Sequence, residues 1–494
     1  MNRFPKRLIQ ITTLVLVVIA GCKVGPNYQN PKMPMPAQFG ESTTRPTSRP
    51  SVDMTRWWDA FDDPLLNSII DDAVQHNLDL KSATARLRQE RALRGVTAAD
   101  WFPTVNVDGS YDRQRRTGIT SGTISGTGGN GNGGTTINGT NRYSSLWSTG
   151  FDATWELDIF GSVSRNVEAA NADVEAAVFD RRDVLVTLLA EVASDYIDLR
   201  GAQRDLTITR NNENSQQQTL NLTRERFRAG IASDLDVAQA EAQVATTDSA
   251  IPTLEAEIRR DIHALGVLTG KDPEALSAQL SPPKDLLVKL PAVPLGMPSQ
   301  LLQRRPDIMR SERQLASATA LVGAAVADWF PKFSLTGSYS WQATKAAHLF
   351  SDANNFWDIG PSVTWPIFDA GRIRANIQVQ NALTDQALDT YEKTVLTALQ
   401  DVEDSMINYD REQARRVALA QAVSSNRRAV DLSNQLYSRG LIDFLTVLDS
   451  ERQLFTAEDL LVRSDTAVSQ DLIALYKALG GGWENTPMED STPR

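Results

Sequence analysis

Residues 100–111 read DWFPTVNVDGSY, and residues 328–339 read DWFPKFSLTGSY. Seven of the twelve positions are identical, at an offset of 328 − 100 = 228 residues. Trp155 and Phe160 then precede a long helical pattern, as Trp365 and Phe368 do in the second copy. Further on, RFRAGIASDLDV (226–237) answers LYSRGLIDFLTV (436–447), at an offset of 440 − 230 = 210 residues. One connection is therefore longer in the first copy. A repeat of this size is a duplicated structural half, too long for a solenoid unit.

Four segments alternate with period two. Val105, Val107, Gly109 and Tyr111 share one face of 104–113, with Thr104, Asn106, Asp108 and Ser110 opposite. In 144–157, Trp147, Thr149, Phe151, Ala153 and Trp155 alternate with Ser148, Gly150, Asp152 and Thr154. In 332–342, Phe333, Leu335, Gly337, Tyr339 and Trp341 oppose Lys332, Ser334, Thr336, Ser338 and Ser340. In 356–367, Trp357, Ile359, Val363 and Trp365 oppose Asp358, Ser362 and Thr364. Such alternation predicts strands with one apolar and one polar face. Trp147, Trp155, Tyr339, Trp341, Trp357 and Trp365 lie near strand ends, where a transmembrane β-barrel carries its interfacial aromatics. A soluble sheet covering a core is the alternative. Four strands cannot close a barrel, and lipid tolerates no open edge. Two or three copies would supply eight or twelve strands, so the pattern predicts a homo-oligomer sharing one barrel.

Most of the remainder reads as helix. Leu65, Ile69 and Ala73 mark a first helix, and a second is predicted from about 79 to 99, closed by Pro103. Val174, Val178, Leu185, Leu188, Val192, Tyr196, Leu199 and Leu206 follow threes and fours within a predicted helix at 165–229. Gly230 ends it, and a partner helix follows at 234–268 with a kink expected at Pro252. The second half repeats this with helices at 372–439 and 443–479, separated by Gly440. The expected organisation is a first repeat at 57–270, a Pro-rich connector at 271–297, a second repeat at 298–480 and a tail at 481–494.

The first residues carry a compartment signal. Arg3, Lys6 and Arg7 precede the mostly apolar run Leu8–Ala20, about right for a signal peptide and too short to span a bilayer. Ile19-Ala20-Gly21-Cys22 resembles the bacterial lipobox, which predicts a signal peptide at 1–21 and a covalent lipid on Cys22. A simple signal peptide with a chance cysteine is the alternative. Lys23, not aspartate, follows the cysteine, which by analogy with enteric sorting favours the outer membrane. Residues 22–56, rich in Pro, Ser and Thr, read as an extended tether.

Composition excludes several classes. The net charge is −11, and about −14 once the three cationic residues of the signal peptide are removed. This disfavours nucleic acid as a partner, because phosphate binding needs a basic face. Cys22 is the sole cysteine, so no internal disulfide can form. His76, His263 and His348 are isolated and the eight methionines are scattered, which argues against a metal site or cofactor. No HExxH, GxSxG or Walker A pattern is present, so no enzyme is expected. Gly126, Gly128 and Gly131 match GxGxxG, but in a low-complexity stretch (114–142) with no helix pattern after it. A mobile extracellular loop is the better reading.

Several motifs in order carry a family resemblance: CKVGPNYQNP (22–31), WWDAFDDPLLNSIIDDAVQHNLDL (57–80), LPAVPLGMPSQLLQRRPDI (290–308), the paired DWFP segments and LYKALGGGW (475–483). The chain resembles the outer-membrane efflux protein family, TolC-like outer-membrane factors, in their NodT-type lipoprotein branch. The resemblance implies a mostly α fold with a membrane β-barrel portion, built as a homotrimer with a shared twelve-stranded barrel and a periplasmic α-helical tunnel. It implies a passive exit duct in the outer membrane, lipid-anchored and extending into the periplasm. A periplasmic adaptor and an inner-membrane pump, expected to be of the RND type, are the implied partners, besides outer-membrane lipid. Drugs, toxic compounds or metal ions are the expected cargo. The turns at Gly230 and Gly440 would form the adaptor-contacting tip, and Leu445, Asp449 and Arg452 match the family's gate motif in LTVLDSER. Asp449 and Arg452 are three apart and share a helix face, with Leu445 one turn earlier. Alternatively they form a solvated ion pair, with Leu445 in a coiled-coil seam. A type I protein-secretion duct and a lipid-anchored scaffold without a pore are the other functional readings.

Overall fold

The computed structural model describes residues 23–40, 53–115, 143–284 and 297–484. The signal peptide, Cys22, most of the Gly-rich connection and most of the C-terminal tail lie outside the described residues, as do parts of the tether and the Pro-rich connector.

The elements in chain order are α1 (Pro64–His76), α2 (Leu78–Ala99), β1 (Thr104–Arg115), β2 (Tyr143–Leu157), α3 (Ser162–Arg228), α4 (Asp234–Asp248), α5 (Ile251–Leu268), α6 (Pro306–Ala327), β3 (Lys332–Ala343), β4 (Asn355–Thr364), α7 (Arg372–Ser438) and α8 (Phe444–Ala478). Two compact units divide the chain. One comprises Met1–Gln29, Ala92–Asn171 and Ala316–Asp385; the other comprises Asn30–Arg91, Ala172–Leu315 and Gln386–Arg494.

The first unit contains one four-stranded antiparallel sheet in the order β1-β2-β3-β4. β1 and β3 start where local chemistry stops a helix. Phe102 and Phe330 close a last turn onto Ala99 and Ala327, and the prolines that follow force an extended chain. Three strands match the expected spans within two residues. β4 is shorter than expected, ending at Thr364, because Pro366 has no N–H to donate and, among the described residues, no strand lies on its outer side.

The second unit is helical. Its main core joins Trp57, Trp58, Phe61 and the buried face of α1 to Leu185, Leu189, Tyr196 and Leu199 of α3, to Ile262 and Leu265 of α5, and to Tyr476 of α8. Trp57 stacks on Tyr476 with centroids 5.3 Å apart. Asp63 caps α1 by accepting from the Leu65 N–H, and Pro64 occupies the first turn, where its missing donor costs nothing. The helix expected at 234–268 is two helices. Ser249 and Ala250 interrupt it, since Pro252 cannot donate to the Asp248 carbonyl. The expected kink takes the form of this two-residue interruption, through which Ser249 and Ala250 keep right-handed helical angles. The 271–297 connector also contains a short helix, Ser277–Leu280.

Candidate channel sheet and helical tip

Register places most apolar positions of the sheet on one face, with Leu146 and Phe356 on the other. Val107 lies opposite Phe151, Phe151 opposite Tyr339, and Tyr339 opposite Trp357. Trp155 faces Leu335, and Tyr111 faces Trp147 with rings 4.3 Å apart. Trp147 and Trp155 mark two aromatic levels about 26 Å apart along β2, at about 3.3 Å per residue. Counted inclusively this is nine residues, at the short end of the length of a tilted transmembrane strand. At the lower level both tryptophans use their polar atom in the same way. Trp155 Nε1 donates to the Trp101 carbonyl at 2.9 Å, and Trp365 Nε1 donates to the Trp329 carbonyl at 3.1 Å. The repeated DWFP motif thus supplies an acceptor to an indole in each half. Tyr339 and Trp341 meet edge-to-face at 4.7 Å, and Trp357 is exposed on the same face.

The opposite face is a polar ladder. Asn106, Asp152, Ser338 and Asp358 form one row across all four strands. Asn106 Nδ2 donates to Asp152 at 3.1 Å, and the Ser338 hydroxyl donates to Asp358. Ser110 meets Ser148, and Ser334 meets Ser362, each at 2.8 Å. A sheet with these two faces separates lipid from water. Among the described residues, its edge strands β1 and β4 have no further strand partner.

The segment after Cys22 is held at the foot of this sheet. Arg165, 1% exposed, donates to the Val24 carbonyl (3.0 Å), the Gly25 carbonyl (3.2 Å) and Asn27 Oδ1 (2.8 Å). It also pairs with Glu168, which Lys23 reaches at 2.5 Å. Burial alone would raise the Glu168 pKa, but Lys23 and Arg165 override it and hold the carboxyl below its ordinary value. Gly161 makes room for Lys23, adopting φ +83 where an added Cβ would lie 3.0 Å from the Lys23 Cα. Sequence reading missed this clamp, because its partners are some 140 residues apart and lack a local signal.

In the helical unit, the two turns carry the same device. Gly230 and Gly440 take φ +74 and +76. Ile231 N–H donates to the Arg226 carbonyl and Leu441 N–H to the Leu436 carbonyl, closing a Schellman motif in each half. Ser233 and Asp443, also 210 residues apart, cap the helices that follow. Arg226 joins the two turns. It donates to the Tyr437 carbonyl at 2.9 Å and lies 4.5 Å over the Tyr437 ring. Beneath them, Leu220, Val237, Ala240, Tyr437, Phe444, Val447 and Leu448 form a small core.

Leu445, Asp449 and Arg452 lie exposed on α8 near this turn. Asp449 and Arg452 find different partners from each other. Arg452 Nε donates to Gln243 of α4 at 2.7 Å, and Asp449 accepts from Gln453 at 2.7 Å. Behind them runs a buried ladder. Glu451, Glu458 and Asp465 recur every seven residues on α8 and are all buried. Glu451 accepts from Thr219 at 2.7 Å. Glu458 binds Asn212 and Arg427, and Asp465 binds Arg204 and Arg416. Heptad spacing of acidic residues was the available signal, since it puts them on one seam. Among the described residues, no group of side chains could hold a metal ion. No described helix is long and apolar enough to cross a membrane.

The family profile described as outer membrane efflux protein matches residues 69–271 and 297–481. The chain belongs to the outer membrane efflux protein family. It is 34% identical over 433 residues to the pyoverdine export outer membrane protein OpmQ of Pseudomonas aeruginosa, covering 88% of each chain. It is 30% identical over 473 residues to nodulation protein T of Rhizobium leguminosarum bv. trifolii, covering 96% of this chain and 97% of that one. The solved outer-membrane channel OprN superposes with a TM-score of 0.84 at 36% identity, over 94% of this chain and all of that one. The family is one of efflux channels, not of enzymes. Its fold is that of TolC-like outer-membrane channels, and its members act as trimers in tripartite systems, beside an adaptor and an inner-membrane pump. The chain is accordingly an outer-membrane exit duct for export.

Proposed function

We propose that three copies form a passive, lipid-anchored duct that carries small molecules from an RND-type pump and its adaptor to the exterior. The observation that carries this is a sheet with one apolar and one polar face and, among the described residues, two unpaired edges, in a member of this family. Three such sheets give twelve strands, which leave a water-filled lumen lined by the Asp and Ser ladder. The docked Lys23 supports a lipid on Cys22, since the adjacent residue is held at the foot of the sheet, close to the lower aromatic level. One acyl chain anchors weakly, so the lipid acts together with the barrel. Leu445, Asp449 and Arg452 are assigned to the periplasmic gate, and the turns at Gly230 and Gly440 to adaptor contact.

The experiment is deletion of this chain beside its cognate pump, read as intracellular dye and antibiotic accumulation. Accumulation should rise several-fold and return to normal on complementation. Unchanged accumulation, with a secreted polypeptide now retained, would reverse the assignment in favour of protein secretion. For the anchor, Cys22→Ser should lose labelled-palmitate incorporation while the protein still fractionates with outer membranes. Full incorporation in that variant would refute the lipid site.

A further inference from the structure

The end of the first hairpin away from the helices breaks the charge balance of the chain. Between Asp112 and Asp152 the sequence holds four arginines, Arg113, Arg115, Arg116 and Arg142, and no aspartate, glutamate or lysine. That is a local charge of +4 in a protein whose net charge is −11. The corresponding connection of the second hairpin, 344–354, is balanced, with Lys345 against Asp352.

Register fixes the face on which two of these cations lie. Arg113 is opposite Ser145 and Arg115 opposite Tyr143, in the same alternating set as Val105, Val107 and Tyr111. They therefore continue the apolar face, not the polar ladder. The Tyr111–Trp147 pair forms the last aromatic level below them. Arg113 lies about 7 Å beyond that level along the strand, and Arg115 about 13 Å. Both guanidiniums lie over one ring, 5.4 and 5.8 Å from the Tyr143 centroid. Tyr143 is 51% exposed, so the pair is held at the surface. The adjacent carboxylate, Asp112, is on the opposite face beside Leu146, and no ion pair joins either arginine to a described acid. Two like charges share one ring, and an anion from outside the chain would relieve their repulsion. At the repeat positions of Arg113, Arg115 and Tyr143 the second hairpin has Trp341, Ala343 and Ala353, so the duplication does not copy this arrangement.

We propose that Arg113 and Arg115, held on Tyr143, bind the phosphate groups of an anionic lipid headgroup in the outer leaflet. This rests on the reading of the apolar face as lipid-facing and adds the class of lipid it selects. Interfacial aromatics mark the edge of the hydrocarbon, and headgroups begin just beyond them, where these arginines lie. A guanidinium's planar fork takes two phosphate oxygens at once, with a geometry that an ammonium lacks. Stacking on Tyr143 already restricts both side chains, so less freedom is lost on binding.

Purified trimers of the full chain, stripped of lipid in neutral detergent, test this by native mass. The probes are diphosphoryl lipid A, the same lipid with its phosphates removed, and inorganic phosphate. The wild type should retain the phosphorylated lipid in preference to the dephosphorylated one, and less of it as salt rises. Arg113→Gln with Arg115→Gln should weaken that binding roughly thirtyfold, at about fivefold per basic residue near an anionic lipid surface. Arg113→Lys with Arg115→Lys keeps the charge and should lose only part of it. Arg88→Gln with Arg428→Gln removes two exposed helix charges and should leave it unchanged. If the double glutamine variant does not assemble, each single variant carries the same comparison. Equal retention of the two lipids by the wild type, or undiminished binding by the glutamine variants, would overturn the site. Displacement by inorganic phosphate at the lipid's own concentration would overturn the headgroup assignment in favour of a free anion. Failure of wild-type trimers to insert into lipid vesicles would instead overturn the lipid-facing reading of the sheet.

Discussion

At Asp465 one carboxylate serves two guanidiniums, Arg204 at 2.7 Å and Arg416 at 2.5 Å, and is itself buried. Removing it leaves two partly buried cations without their anion, which costs about 3–5 kcal/mol in such sites. The exposed pair Arg210–Glu255 at 2.6 Å should be worth under about 1 kcal/mol. Asp465→Ala should therefore lower the thermal midpoint by many degrees, while Glu255→Ala leaves it nearly unchanged. Calorimetry in detergent distinguishes them, and equal small shifts would show that the ladder carries no stability. Arg452 shows the same choice of partner at the tip. Its bond to Gln243 links the second hairpin to the first, which an intrahelical pair with Asp449 would not do.

Among the elements, the sheet responds to its lipid face. Trp365→Arg or Trp155→Arg puts a cation on that face at a cost of about 2–4 kcal/mol at mid-membrane and less at the interface. It also removes the indole donor to the Trp329 or Trp101 carbonyl. Trimer yield in membranes should fall for both, and unchanged yields would favour a soluble sheet.

The helices respond to pH. Burial, then the charges of Glu257, Asp198 and Asp195, push Asp261 up to about 7. Burial and nearby carboxylates also push Asp195 and Asp205 up to about 6. An unfolded aspartate titrates near about 3.9. Between roughly pH 4 and 7 the folded helices thus hold protons that the unfolded chain has released, and stability from these groups falls as pH rises. The thermal midpoint should climb as pH drops from about 7.5 to 5.5. Asp261→Asn should flatten the upper part of that slope, and an unaltered slope would refute its role.

Much of this element level was readable in the sequence. Period-two alternation defines a strand's faces without knowledge of its neighbours, and Gly230 and Gly440 mark helix ends because their φ suits glycine. The end of β4 was not readable, since it depends on which strand, if any, lies beside it in the fold. Nor was the Arg165 clamp, or the partner of Arg452, because each depends on residues brought near only by the fold. The buried acids of α8 were spaced legibly, but their spacing alone does not say which face is covered.

On the scale of the whole molecule, a single chain is incomplete. Among the described residues its sheet offers two bare edges and an apolar face, and lipid admits no open edge. A closed twelve-stranded wall requires three copies, and a duct so built is passive, leaving cargo choice to the pump. Under the proposed gate assignment, closure at the tip would combine an apolar Leu445 ring with the Arg452–Gln243 link, a balance that a few kcal/mol of differential adaptor binding would tip. Arg452→Glu breaks that link and sets a negative charge near Asp449; Leu445→Ala widens the apolar ring.

The decisive measurement is single-channel conductance of the purified trimer in a planar bilayer, wild type beside these two variants. The predicted result is discrete, uniform steps for the wild type and severalfold larger or longer-lived openings for both variants, with trimer yield unchanged. Silent membranes for all three proteins, despite verified insertion as trimers, would contradict a water-filled duct.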